Sequence, residues 1–382
     1  MIANVPFSGR FHWDAKANRL SELLAKKRRQ ATPLLDLTQS NPTRADLQYP
    51  LDAVHAFGDS AMLIYEPAPR GSLQAREAIA EYYAARGHEV SSERILLTAS
   101  TSEAYSYLFK LLANPGEVVA VPRPSYPLFE YLAAMESLRV AHYPLRYDGA
   151  WSMALDEIPR EARAVALVNP NNPTGSFVKR AELEKLASLE IPLISDEVFS
   201  DYAFGPDVER VASLVDVEEC LAFSMSGLSK AAGLPQMKLG WIVVSGPQAL
   251  REEAMEKLEW IADTYLSVGA PVQCAAPKLL QLGEEIQRQI RARTAENLQF
   301  ARAALQGTAA NVLDVEAGWY ATLRMPRVRT EEEYALDLLE RHDVLVQPGY
   351  FYDFESEAFL IVSLLTGTTQ FREGIARIKT LV

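Results

Sequence analysis

Seven short apolar runs, at 95–97, 118–121, 139–143, 164–168, 192–195, 221–224 and 240–244, alternate with longer amphipathic stretches. That alternation limits the possible folds more than any other feature of the chain. Runs this short and this uniformly apolar suit strands buried on both faces, and parallel neighbours need crossovers of a dozen residues or more. The pattern predicts an α/β fold: a large domain with a seven-stranded, mainly parallel sheet flanked by helices. Amphipathic segments at 102–113, 128–137 and 180–189, bounded by Pro, Gly or polar caps, read as crossover helices. Long helical patterns follow at 247–265 and 271–305, interrupted at Gly269-Ala270-Pro271, and suit a spine between domains. Beyond Gly318, strand-like pieces at 319–323, 344–346 and 359–364 predict a smaller α+β domain. The expected division is a large domain over 46–270 and a small domain built from 1–45 and 271–382.

Charge and composition narrow the function. The chain of 382 residues has 38 basic and 50 acidic side chains, a formal charge of −12 that disfavours nucleic acid as a partner. No apolar run approaches the roughly 20 residues that span a bilayer, and the opening MIANVPFSGRFHWDAK lacks a signal-peptide core, so the expectation is a cytoplasmic protein without a membrane partner. Two cysteines make no disulfide framework, and five scattered histidines show no metal-ligand spacing, so no metal site is expected. The glycines include no Gly-x-Gly pair and no Gly-Lys-Ser/Thr, which removes the usual signatures of dinucleotides and nucleoside triphosphates.

What remains is polar chemistry placed just after strand ends, where open α/β sheets bind ligands. Thr98-Ala99-Ser100-Thr101-Ser102 opens a helix and offers free amides and hydroxyls to an anion, or simply caps that helix. Pro122-Arg123-Pro124-Ser125-Tyr126-Pro127 stiffens a loop carrying Tyr126, a stacking plate for a flat ring or part of a packed turn. Asn169-Pro170-Asn171-Asn172-Pro173-Thr174-Gly175 fixes the backbone so that an amide such as that of Asn172 can be aimed. Asp196 ends an apolar strand and needs a cationic partner if buried, or else caps a helix. Lys230, in Ser226-Gly227-Leu228-Ser229-Lys230, sits among small residues where lost solvation would make it a Schiff-base nucleophile. The same segment half-matches the Gly-x-Ser-x-Gly elbow of hydrolases, but the only downstream histidine, His342, lies in a helical stretch.

Taken together and in order, from Ser40-Asn41-Pro42 to about Thr366, these segments resemble the fold-type I pyridoxal-phosphate aminotransferases of class I/II. The Asn-Pro-Thr-Gly, Asp-Glu-Val and Leu-Ser-Lys segments are its most specific marks. The resemblance implies pyridoxal 5′-phosphate as cofactor and transfer of an amino group between an amino-acid-like donor and a keto acid through a Schiff base at Lys230. It also implies that Asp196 pairs with the ring nitrogen, that Asn172 reaches the ring oxygen and that Tyr126 stacks. Ser100, Thr101, Ser229 and Lys238 would hold the phosphate, and Ser40, Asn41 and Asn172 the substrate. Tyr65 would reach a neighbouring subunit's phosphate, implying a homodimer with shared active sites. A lyase or decarboxylase of the same fold is the alternative, since the same residues serve any carbanion at Cα.

Four positions depart from that pattern. Lys238 stands where many members have arginine, Gly227 replaces a frequent serine, and Phe199 replaces a tyrosine. Ile361 stands where the resemblance places the arginine that grips the substrate's α-carboxylate. Either Arg44 or Arg70 supplies that charge, or the substrate differs from an ordinary α-amino acid.

Overall fold

The computed structural model of the protein describes residues 8–10 and 17–382. Its large sheet has eight strands, one more than the alternation predicts. They are β1 (Ile95–Thr98), β2 (Val118–Arg123), β3 (Arg139–Tyr147), β4 (Trp151–Met153), β5 (Ala162–Val168), β6 (Leu193–Asp196), β7 (Ala222–Gly227) and β8 (Gly240–Ser245). Side by side they run β1-β8-β7-β6-β5-β2-β3-β4. All contacts from β7 to β3 are parallel, whereas β8 is antiparallel to both its neighbours and β4 is antiparallel to β3. The strand missed in the sequence is β4. Three residues are too few to show a period, although the preceding Asp148-Gly149 pair is a hairpin signal, and the Asp148 N–H does donate to Ala150 O at 3.2 Å.

The central strands are buried on both faces, as their unbroken apolar runs require: Ala164, Val165, Ala166 and Leu167 are at most 1% exposed. Helix α1 (Thr101–Leu112) lies on the sheet with Ala104, Leu108 and Phe109 packed against Val119, Val121 and Ile242. Each large side chain buried in this way contributes about 1.5–3 kcal/mol. After β7 comes a single helical turn, α2 (Leu228–Ala231), which carries Lys230.

The spine is one helix of 36 residues, α3 (Ala270–Leu305), with Gly269 at its N-cap and a proline in its first turn. Its first half buries Ala275, Leu279 and Ile286 beside the large sheet, and its second half buries Leu298, Ala301 and Leu305 in a second core. That second core surrounds a four-stranded antiparallel sheet of β9 (Asn311–Val312), β10 (Tyr320–Arg324), β11 (Gln347–Pro348) and β12 (Phe359–Ser363), in the order β9-β10-β12-β11. The amino-terminal pair Leu35–Asp36 runs parallel to Val344–Leu345, tying the chain's beginning to this smaller unit.

Candidate active site

The carboxyl ends of β1, β2, β5, β6 and β7 open on one cavity of about 370 Å³, closed on its far side by Tyr320 of β10. The sequence-derived candidates Ser40, Ser100, Thr101, Tyr126, Asn172, Asp196, Ser229, Lys230 and Lys238 all line it. Two others do not. Asn41 lies outside the lining, its side-chain oxygen accepting from the backbone N–H (3.0 Å) and hydroxyl (2.7 Å) of Thr43. Tyr65 lies elsewhere in this chain, 81% exposed, among Glu66, Pro67, Leu266 and Ser267.

Lys230 and Asp196 are the two ionisable groups that burial perturbs most usefully here. Lost hydration lowers the Lys230 ammonium from 10.5 to about 8, with Asp196 pulling it back only partly. The ammonium faces aromatic rings, 4.9 Å from the centroid of Trp319 and 5.7 Å from that of Phe199. Asp196, 6% exposed, is pushed up from 3.8 to about 6 by the same desolvation. A weak hydrogen bond from the Val198 N–H at 3.4 Å, the nearby Tyr105 hydroxyl and the Lys230 charge offset part of this rise. No cation lies within ion-pair distance of Asp196 among the described residues. A carboxylate so placed favours a ligand that brings its own N–H or positive charge.

The ends of the cavity differ in chemistry. Ser100 caps α1, accepting from the Glu103 N–H at 3.2 Å, while Glu103 accepts from the Ala99 N–H at 2.6 Å. Capping therefore is one job of Ser100, and the amides of Thr101 and Ser102 have no protein acceptor among the described residues. With the Ser229 hydroxyl and Lys238, they make this end of the cavity rich in donors and positive charge. Asn172 leaves its Oδ1 buried without a partner. Its neighbour Asn171 has the opposite fate: it is fully engaged with Ser125, Thr174 and the Pro124 carbonyl, holding the loop that presents Tyr126. The glycine at 227 has a steric reason, because a Cβ there would meet Leu239 O at 2.9 Å and Gly240 Cα at 3.0 Å, so serine does not fit without displacing β8.

Several residues that hold the site carry no local signal in the sequence. The Tyr202 hydroxyl donates to the Lys230 carbonyl at 2.5 Å, and Gln287 of α3 donates to the Ala231 carbonyl at 2.6 Å. Gln287 also donates to Asp201 at 2.7 Å, which accepts from Tyr82 and Arg86 at 2.6 Å each. The turn bearing Lys230 is thus braced from below by groups from three separate segments. Tyr320, which walls the cavity, and Trp319, whose ring lies 4.9 Å from the Lys230 amine, announce themselves only as an aromatic pair after Gly318.

A buried amine thus shares one cavity with a buried carboxylate that has no ion-pair partner among the described residues, beside the free amides of a helix start. The profile of the family described as aminotransferase class I and II matches residues 32–378. The chain belongs to that family. Among curated relatives, this member of the class I and II aminotransferase family is 30% identical to the S-alkyl-thiohydroximate lyase SUR1 of Arabidopsis thaliana over 56% of the chain and 49% of the relative. It is 29% identical to the glutamate-pyruvate aminotransferase AlaA of Escherichia coli over 54% of the chain and 53% of that protein. The chain thus spans about half the length of the curated relatives it matches. The solved structure of an alanine aminotransferase from Pyrococcus furiosus superposes with a TM-score of 0.84 at 21% identity, covering 96% of this chain and 99% of that one. At that identity the likeness establishes the fold, which is the expected fold type I. Among the described residues no helix is long and apolar enough to cross a membrane.

Proposed function

We propose that the protein is a pyridoxal 5′-phosphate-dependent aminotransferase that moves an amino group between an amino-acid-like donor and a keto-acid acceptor. The observation that carries this reading is the opposed pair Lys230 and Asp196, both desolvated and both facing one cavity. The cavity suits the cofactor group by group. Asp196 lacks a cation and suits a protonated pyridine nitrogen; Asn172 has an uncommitted buried oxygen and a side-chain amide to orient a ring substituent. Tyr126 offers a ring face, and the start of α1 with Ser229 and Lys238 suits a phosphate.

When bound, the cofactor supplies an electron sink for negative charge developing at the substrate's Cα. Lys230 Nζ would hold the cofactor and, as a free amine above the substrate, would carry a proton from Cα to the cofactor carbon on the other side of the substrate nitrogen. A pKa near 8 leaves part of this amine uncharged at neutral pH, as a proton acceptor must be. Asp196 Oδ atoms would hold a proton on the ring nitrogen, and the rings of Phe199 and Trp319 beside the Lys230 amine keep water from it.

We further infer a homodimer with shared active sites. Leu51, Val54, Leu63, Ile64 and Tyr65 form an apolar stretch, each 64–85% exposed in the single chain, and a second copy would cover it. SUR1 is named a lyase, but the lyase or decarboxylase alternative is not favoured, since the family and AlaA carry the aminotransferase name. The test is reconstitution with pyridoxal phosphate followed by visible absorbance during a single half-reaction. Donor should convert bound cofactor stoichiometrically to its amine form with release of one keto acid, and Lys230→Ala should abolish that conversion. Protein that stays colourless, or a variant that turns over normally, overturns the reading.

A further inference from the structure

Lys230 must be uncharged to take a proton and positively charged while it carries one, and the desolvation that favours the first state penalises the second. Among the described residues its Nζ makes no hydrogen bond or ion pair, and Asp196 is the one charge that draws it toward the ammonium form. Asp196 is also the group that suits a protonated ring nitrogen, so its help is spent once the cavity is filled. What else faces the amine is aromatic.

Two ring faces lie within the roughly 6 Å at which a cation is attracted to a ring quadrupole. Nζ stands 4.9 Å from the centroid of Trp319 and 5.7 Å from that of Phe199. Trp319 is fully buried and Phe199 only 5% exposed, so water competes for neither face. The two rings meet edge to face at 5.3 Å and 68°, and Tyr202 meets Trp319 in the same manner at 5.2 Å and 71°. Tyr202 is the residue whose hydroxyl donates to the Lys230 carbonyl. One aromatic cluster therefore fixes the lysine's backbone and faces its side chain.

A wall that merely keeps water out could be built of leucine. At 319 the chain instead places an indole whose Nε1 is buried without a partner. A buried tryptophan ordinarily finds an acceptor for that N–H. This one is held by packing alone, and what it offers the amine is its face. Phe199 adds a second face with no hydroxyl to divert the charge.

We propose that Trp319, with Phe199 beside it, is a cation box for Lys230: a catalytic residue whose ring face stabilises the ammonium while that side chain carries its proton. The contact stands on the geometry of this chain, and the task assigned to it rests on the aminotransferase reading above. The proton that Nζ gains at Cα it gives up again, so no further reactant is needed. Sharing the cavity with the amine are the titratable groups Asp196 on β6, Tyr126, Tyr320 on β10 and Lys238, all of which stay in place in the variants below.

The experiment titrates Lys230 in cofactor-free protein by competitive acylation with acetic anhydride across pH, the Lys230 peptide being quantified by mass spectrometry. Tryptophan is replaced throughout by analogues of rising fluorine content, which keep the indole's shape and weaken its face. Lys230 over Trp319 is the only cation–tryptophan contact among the described residues. Expected is a midpoint that falls stepwise with fluorination, by about one pH unit in all, falls likewise in Trp319→Leu, and falls less in Trp319→Phe, which keeps a weaker face. In reconstituted protein, single-turnover conversion of bound cofactor by L-glutamate or L-alanine, whichever is faster with the native chain, should slow by about three- to tenfold in parallel. A midpoint that ignores fluorination, or that rises in Trp319→Leu as water returns to the amine, overturns the box and leaves the ring a water barrier. A lowered midpoint with unchanged conversion overturns the catalytic task. Failure of both donors with the native protein would count against the aminotransferase reading and the task with it, while the labelling still decides the contact.

Discussion

Replacing Gly283 with alanine places two helix effects in opposition at the point where α3 meets the Lys230 turn. Alanine in a helix interior is favoured over glycine by about 0.8–1.0 kcal/mol. Here, however, the new Cβ would stand 2.8 Å from both Cα and Cβ of Ala232 and 3.0 Å from Ala231 O. These neighbours are backbone or methyl atoms with no flexible end to swing away, so ordinary contact at 3.4 Å demands a separation of about 0.6 Å, the difference 3.4 − 2.8. Overpacking of this kind costs about 1–3 kcal/mol, which outweighs the propensity gain and leaves a net loss of about 1 kcal/mol. At about 2.1 cal/mol/K of unfolding entropy per residue, a chain of 382 residues shifts its Tm by only about 1 °C for that loss. The site should register it more strongly. A 0.6 Å displacement lengthens the bonds from Gln287 to Ala231 O and from Tyr202 to Lys230 O, which aim the amine. Misplacement of about 1 Å costs on the order of 100-fold in rate, so a roughly tenfold slower conversion of bound cofactor is expected. Single-turnover absorbance measures this, with the exposed neighbour Glu284→Ala on the same helix as control. A Gly283→Ala variant that gains about 1 kcal/mol and converts the cofactor as fast as the native chain would show that helix and turn absorb the methyl, and the bracing argument would fail.

Two further outcomes follow from the buried charges. Asp196 titrates near 6 in the folded protein against 3.8 ordinarily, so the folded state holds the extra proton and stability falls as pH rises from about 4 to about 6. That displacement of about two pH units corresponds to about 3 kcal/mol, and in cofactor-free protein Asp196→Asn should gain that much relative to the native chain between pH 4 and pH 7 in urea unfolding; a difference independent of pH contradicts the assignment. Asp201→Ala removes the acceptor shared by Tyr82, Arg86 and Gln287 and leaves Arg86, whose side chain is 24% exposed, without its partner. A loss of about 3 kcal/mol by chemical denaturation is expected, and a loss below about 1 kcal/mol would mean that water replaces the carboxylate.

Much of this site is written locally. Asp196, Asn172 and Lys230 each follow an apolar run that can only be a buried strand, and the end of such a strand in an open sheet is where ligands bind. The three-residue β4 escapes because no period shows in so few residues. Asn41 shows the other limit. It sits in a recognisable motif, yet whether its side chain enters the cavity depends on the hydrogen bonds it makes.

The sequence alone determined the order of strands and helices, the family, and which residues stand at strand ends, because backbone periodicity and turn chemistry act over a few residues. Tertiary structure alone decided how those groups behave. Burial sets the ionisation of Lys230 and Asp196; Tyr202, Gln287 and Gly283 come from distant segments to fix the lysine turn; and Arg70 and Arg123 find partners while Arg44 finds none. Desolvation and long-range pairing are properties of packed neighbours, and those neighbours are brought together only when the chain closes on itself.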